Sequence, residues 1–232
     1  MNRVALFAVA TGAALVGAGY LLRRGDVRLS PLGAPQGVIP IVAPFIDISV
    51  ADGVLAAMDQ LRGDRVTLVL HTLGGCVTAC VLISNALRQF RESVAVVPYM
   101  AISGGTLIAL NASRLEMGRY AALSAVDPMI MGQRVRHLAE LDSDKSVAAL
   151  AREYEVAMQG YLRDTLRAHV PEARLKAAMG LFLGEHAPHA WPIRRADIEA
   201  VGIPVKESAD RWSSLIDGMR GRKCWRLTED VP

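Results

Sequence analysis

Cysteine is scarce in this 232-residue chain. Cys76, Cys80 and Cys224 are too few and too unevenly spaced for a disulfide framework. A reducing, cytosolic setting fits that usage. Aromatic residues make up only 5%, which gives no basis for a base-stacking surface. One-sided charge is missing as well. The 26 Lys and Arg against 23 Asp and Glu leave +3, spread along the chain, so no nucleic-acid partner is indicated. There is no Gly-x-Gly-x-x-Gly and no Gly-Lys-Ser/Thr, which argues against nucleotide binding through either motif. No cofactor and no metal is implied. With 52% hydrophobic and 21% charged residues the chain is not disordered, and its length suits one full domain with an appendage.

One long apolar run is present. Residues 4–22 read VALFAVATGAALVGAGYLL, nineteen residues without a charge. As a helix they would reach roughly 28 Å, close to the hydrocarbon thickness of a bilayer. The run passes the small residues at 16–18 and stops at Arg23-Arg24, which favours an anchor over a cleaved signal peptide or a buried core helix. The expectation is a single-pass transmembrane anchor over 1–24, in contact with membrane lipid. Arg23, Arg24 and Arg28 against Arg3 lean the following domain to the cytoplasmic side. Residues 25–44 carry Pro31, Pro35, Pro40 and Pro44 and read as a linker leading into an extended segment at 38–42.

Beyond the linker, apolar helices alternate with short apolar strands. The spacing predicts helices over 47–61, 76–90 and 106–112, and strands over 66–70, 94–97 and 114–117. Strand, Gly-rich turn, helix, strand argues for an α/β domain with a parallel sheet. Longer helices follow over 146–170 and 172–183, then a short one over 196–201. The remainder, 208–232, reads as a tail with a surface helix and a frayed end.

Two turns can do chemistry. His71-Thr72-Leu73-Gly74-Gly75 lies between a buried strand and a helix, where paired glycines leave backbone N–H groups uncovered to hold a developing negative charge. An ordinary tight turn has the same sequence. Tyr99-Met100-Ala101-Ile102-Ser103-Gly104-Gly105-Thr106 lies at the next strand end. There Ser103 is flanked by small residues at the sheet's carboxyl edge, where open α/β sheets bind ligands. A serine N-cap has that sequence too.

Taken together, LVLHTLGG, VVPYMAISGGTLIAL, SRLEMGRYAALSAVDPMI and GLFLGEHAPHAWPIRRADIEAVGIPV resemble the serine dehydrogenase proteinase family of the ClpP/crotonase superfamily, which also holds signal peptide peptidase A. The resemblance covers about residues 45–206. It implies a ClpP/crotonase-like spiral of ββα units over 45–207. It also implies Ser103 as nucleophile, and an oxyanion hole from the backbone N–H groups of Gly74, Gly75 and Gly104. Leu73 stands where that family usually has Pro. ClpP itself takes its base from a His soon after the nucleophile's helix, and Ser124-Ala125-Val126-Asp127-Pro128 offers none. Peptidase A relatives use a later Lys, which points to Lys145, with His71 and His137 as alternative bases. Asp142 and Asp144 work against a neutral Lys145 if they sit close to it. His186 and His189 lack a third ligand and read as structural. Cys76 and Cys80 share a helix face and read as packing.

The resulting expectation is a membrane-anchored serine endopeptidase, a homo-oligomer by analogy, acting on extended peptide from unfolded or membrane proteins. Rival readings are a catalytically inactive, membrane-tethered assembly scaffold and a crotonase-type acyl-CoA hydratase or isomerase.

Overall fold

The computed structural model describes residues 37–61 and 63–220. The chain divides into two compact units. One is Pro128–Met158; the other joins 37–127 to 159–220.

The larger unit is built on an eight-stranded sheet. Strands β1 (Val38–Ala43) and β2 (Arg65–Thr72) pair in parallel, Ile39 opposite Leu68 and Ala43 opposite Thr72. β1 thus belongs to the sheet rather than to a linker. β2 is rich in β-branched and leucine residues, and Leu68, Val69 and Leu70 are all fully buried. That fits a strand covered on both faces. Strand β3 (Glu92–Val97) runs parallel to β2, and β5 (Arg114–Met117) parallel to β3. Pro98 ends β3, since it has no N–H for the ladder. The chain resumes as β4 (Met100–Ala101), which pairs with the end of β2 and with β6 (Ala122–Leu123). β9 (Ile193–Arg194) runs antiparallel to β6, and β10 (Val205–Glu207) parallel to β5. The order is β10-β5-β3-β2-β4-β6-β9, mostly parallel, with β1 also on β2.

Helices connect these strands. Helix α1 (Ile48–Asp59) begins at Asp47, whose carboxylate accepts the Val50 N–H at 3.0 Å. It buries Val50, Ala51, Val54 and Met58. Helix α2 (Val77–Leu87) buries Ala79, Cys80, Ile83 and Leu87, and α3 (Gly104–Leu110) buries six of its seven residues. Each buried Leu, Ile or Val contributes roughly 1.5–3 kcal/mol.

The smaller unit opens with a hairpin, β7 (Met129–Ile130) against β8 (Gln133–Arg134). Its two loop residues have positive φ, Met131 at 50° and Gly132 at 77°, as a type I′ turn requires. Helix α4 (Val135–Leu141) follows, and Val135, Leu138 and Ala151 form the unit's core. Helix α5 (Lys145–Arg167) starts in this unit and ends in the larger one. Helices α6 (Glu172–Phe182), α7 (Arg195–Ala200) and α8 (Asp210–Arg220) complete the chain described. The C-terminal helix is more than a surface element. Its Trp212 and Ile216 are buried against Val69 and Val96 of the sheet.

The single-pass membrane localisation expected above is corrected here. Among the described residues no helix is long and apolar enough to cross a membrane. The longest, α5, carries Arg152, Glu153, Glu155, Arg163 and Asp164 along its length, and each charge costs about 2.5–3.5 kcal/mol at a bilayer centre. The anchor expected at 4–22 lies outside the described residues, so the lipid contact and the cytoplasmic orientation drawn from it fall with the localisation.

Candidate active site

Ser103 stands at the turn from β4 into α3, with φ 53° and ψ −117°. A non-glycine residue in that region is strained by about 1–3 kcal/mol and needs its surroundings to hold it there. A linked series of hydrogen bonds does so. The Ser103 amide donates to Ser124 Oγ at 2.8 Å, and the Ser124 amide donates to Thr106 Oγ1 at 3.0 Å. Thr106 Oγ1 in turn donates to the Ala101 carbonyl at 2.7 Å. Ser124 and Thr106 are fully buried. Ser103 is half-buried, and its hydroxyl makes no capping bond to α3. The simple N-cap reading of this serine therefore fails. It occupies a strained strand-to-helix elbow of the kind that exposes a nucleophile.

The diglycine turn lies directly against this elbow. At Gly74, with φ 98°, a Cβ would fall 2.7 Å from the Ile102 carbonyl oxygen and 2.8 Å from Ser103 Cβ. At Gly75 it would fall 2.1 Å from the Ile46 carbonyl oxygen, and at Gly104 2.3 Å from Cys80 Sγ. Only glycine permits backbone contact this close. The turn is fixed from the other side by Ile46, whose N–H donates to the Gly74 carbonyl and whose carbonyl accepts from Cys76, both at 2.8 Å. The three glycine amides differ in availability. Gly74 N–H donates to Thr72 Oγ1 at 3.1 Å, and the Ser103 amide is committed to Ser124. The amides of Gly75 and Gly104 are spent in none of these bonds. The position a Gly104 Cβ would take is 3.4 Å from Gly75 N, so the two residues are neighbours across the turns.

The candidate bases are placed differently. Thr72 turns its methyl toward Gly105, on the side of α3. His71, its neighbour on β2, therefore belongs to the opposite face. There it meets Tyr99 edge-on, ring centroids 5.8 Å apart. Lys145 and His137 lie in the smaller unit, both exposed. Asp144, beside Lys145, accepts from the Ser146 hydroxyl and, at 2.9 Å, from the Ser146 amide; these bonds hold its carboxyl below the usual carboxylate range. Cys80 is fully buried against Gly104, and burial, reinforced by Cys76, pushes its thiol up to about 12. It is packing rather than chemistry. His189 does have a partner. Its Nδ1 is 2.9 Å from Asp127 Oδ1.

The residues that sequence reasoning missed are Thr72, Thr106 and Ser124, which hold the turns. Their signal was a hydroxyl inside an apolar run, which becomes readable only once the strands are paired.

A family model described as ClpP-like SDH-type serine proteinase matches residues 36–208. The chain belongs to that family. Among curated proteins it is similar to two uncharacterised proteins of Methanocaldococcus jannaschii. One is 29% identical over 177 residues, 71% of this chain and 62% of that protein. The other is 24% identical over 184 residues, 75% of this chain and 63% of that protein. This member thus spans somewhat under two thirds of the length of either. Among solved structures it resembles a mutant ClpP1 from Listeria monocytogenes, with TM-score 0.54, 13% identity, and 76% of this chain against 95% of that one. It also resembles a mutant of the 1510-N membrane-bound stomatin-specific protease, with TM-score 0.52, 15% identity, and 74% against 77%. These likenesses show a ClpP-like α/β fold.

Proposed function

We propose that this chain is a serine endopeptidase with Ser103 as nucleophile and the amides of Gly75 and Gly104 as its oxyanion hole. The observation that carries the reading is the elbow itself. A strained serine without a capping bond is held against two uncommitted amides of neighbouring residues in a chain of a serine proteinase family. Attack by Ser103 Oγ on a peptide carbonyl would put the oxyanion beside those amides, whose donors cost no reorganisation when the charge develops. An extended peptide can lie along the Gly74-Gly75 segment as an added strand. Phe45 and Leu73, 57% and 58% exposed beside that segment, would give its side chains an apolar rim. The relatives' ClpP-like fold supports a homo-oligomer of this kind of subunit. The family favours peptide over the acyl-CoA thioester of a crotonase-type enzyme.

The proton acceptor implied by the sequence resemblance is Lys145, and that assignment stands on the resemblance alone. Incubation with casein tests the activity. The unmutated chain is expected to cleave it and Ser103→Ala to leave it intact. Equal cleavage by both would end the proposal.

A further inference from the structure

The C-terminal helix packs on the sheet where three strands are about to enter the site. Trp212 and Ile216 of α8 are buried on Val69 of β2 and Val96 of β3, with the half-buried Val38 and Val42 of β1 packed alongside. Each of these strands runs on into one wall of the site. β1 leads to Ile46, whose backbone brackets Gly74 and Cys76. β2 leads to Thr72 and the diglycine turn. β3 leads through Pro98 to Tyr99, β4 and Ser103. Side chains alternate along β2, so Val69 and His71 share the face that α8 covers, while Thr72 faces α3. Tyr99 belongs to the same cluster and links the helix to the site. Its ring meets His71 edge-on, its carbonyl accepts from the Ala122 amide at 3.0 Å, and its hydroxyl donates to Asp217 Oδ2 of α8 at 2.8 Å. The family match stops at residue 208 and α8 starts at Asp210, so this contact lies outside the matched region.

We propose that α8 holds the Ser103 elbow in its working geometry, with Tyr99 and Asp217 as positioning residues. The inference rests on the reading of Ser103 as nucleophile and deepens it. A strained serine keeps its conformation only while its surroundings over-determine it. Ser124 and Thr106 fix the elbow from the side of β6 and α3. The strand that delivers Ser103, β4, is only two residues long, and Tyr99 directly before it supplies an anchor from the opposite face. An 11-residue helix is too short to stand alone in water, so α8 owes its order to the sheet and in return ties the three strands together. The Tyr99–Asp217 bond is exposed, where water competes for both partners, so breaking it leaves the fold standing. The rate is more sensitive. A misplacement of about 1 Å between reacting atoms can cost about 10²-fold, so a slight loosening of the elbow is felt in the chemistry before it is felt in a melt.

The test is labelling of the full chain by a fluorophosphonate, read as a maximal rate and a half-saturating concentration. Tyr99→Phe and Asp217→Ala are each expected to lower the maximal rate about three- to tenfold, within the net worth of one hydrogen bond, and to leave the half-saturating concentration unchanged. Asp217→Asn keeps an acceptor for the Tyr99 hydroxyl and is expected to label near the unmutated rate. The double variant of Tyr99→Phe with Asp217→Ala is expected to be no slower than either single change, since both remove the same bond. Urea melts are expected to find all four variants fully folded under the labelling conditions. Labelling that depends on Ser103 but is equal in all four variants overturns the role of α8 alone. So does a loss that Asp217→Asn shares, a loss that adds up in the double variant, or one that matches the fraction unfolded. Labelling that survives Ser103→Ala overturns the nucleophile and the role of α8 together.

Discussion

Ser103 carries its strain because everything around it is fixed, and that gives a stability signature separate from activity. Glycine tolerates φ 53° without penalty, whereas alanine keeps the Cβ clash. Ser103→Gly is therefore expected to unfold at higher denaturant than Ser103→Ala, by about 1 kcal/mol, with both inactive. Urea melts of the two variants check this; equal midpoints would mean the elbow is unstrained. Gly104 poses the opposite problem. An alanine there would place its Cβ 2.3 Å from Cys80 Sγ. Overpacking of this kind costs about 1–3 kcal/mol, and Cys80→Ala in the same chain is expected to recover part of it. Thermal melts of the single and double variants decide. At this scale the site was partly legible. Gly74, Gly75, Ser103 and Gly104 stood out as turn residues between apolar runs. That the Gly74 amide is spent on Thr72, and that His189 has a buried carboxylate for a partner, depends on contacts across 2 and 62 positions of chain. The longer of these no local pattern encodes.

Elements with a clear period were readable; very short ones were not. The strand predicted at 66–70 is Arg65–Thr72, and the helix predicted at 146–170 is Lys145–Arg167. The helix predicted from 106 begins at Gly104, because two glycines that read as turn residues are there for close packing on Cys80 and Thr72. Strands of two or three residues, such as β4, β6 and β9, are too short to show alternation and exist only through their pairing. Two elements give measurable consequences. Asp47 caps α1, and its carboxyl is held below the usual range by the Ser49 hydroxyl and the Val50 amide. A depressed carboxyl stabilises the fold above its unfolded pKa and loses that contribution as pH falls through the folded value. Asp47→Ala is therefore expected to cost about 1 kcal/mol at neutral pH, typical of a lost N-cap, and less in acid. Denaturant melts at the two pH values would contradict this if the cost did not shrink. Trp212→Ala is expected to lower stability by about 3–5 kcal/mol, since α8 is held to the sheet through Trp212 and Ile216.

At the scale of the whole molecule, a buried histidine just beyond the end of α5 adds a pH dependence. His169 Nε2 donates to the Leu110 carbonyl at 2.8 Å, and burial, helped by the nearby Arg88 guanidinium, lowers its pKa. The unfolded chain then binds a proton there more readily than the folded one. Stability from this group is complete above its unfolded pKa of about 6.5 and declines as pH drops through it. His169→Gln is expected to flatten that decline. Family membership and the mostly parallel α/β sheet agree with the sequence reading, while the membrane localisation was corrected. A run of apolar residues fixes the length of a possible span but not its setting.

One oxygen atom, Ser103 Oγ, carries the proposed reaction. After reaction with a fluorophosphonate, mass spectrometry of the digested chain is expected to find a single adduct, on Ser103, and none in Ser103→Ala. An adduct on another residue, or none on the folded chain, would contradict the account at its centre.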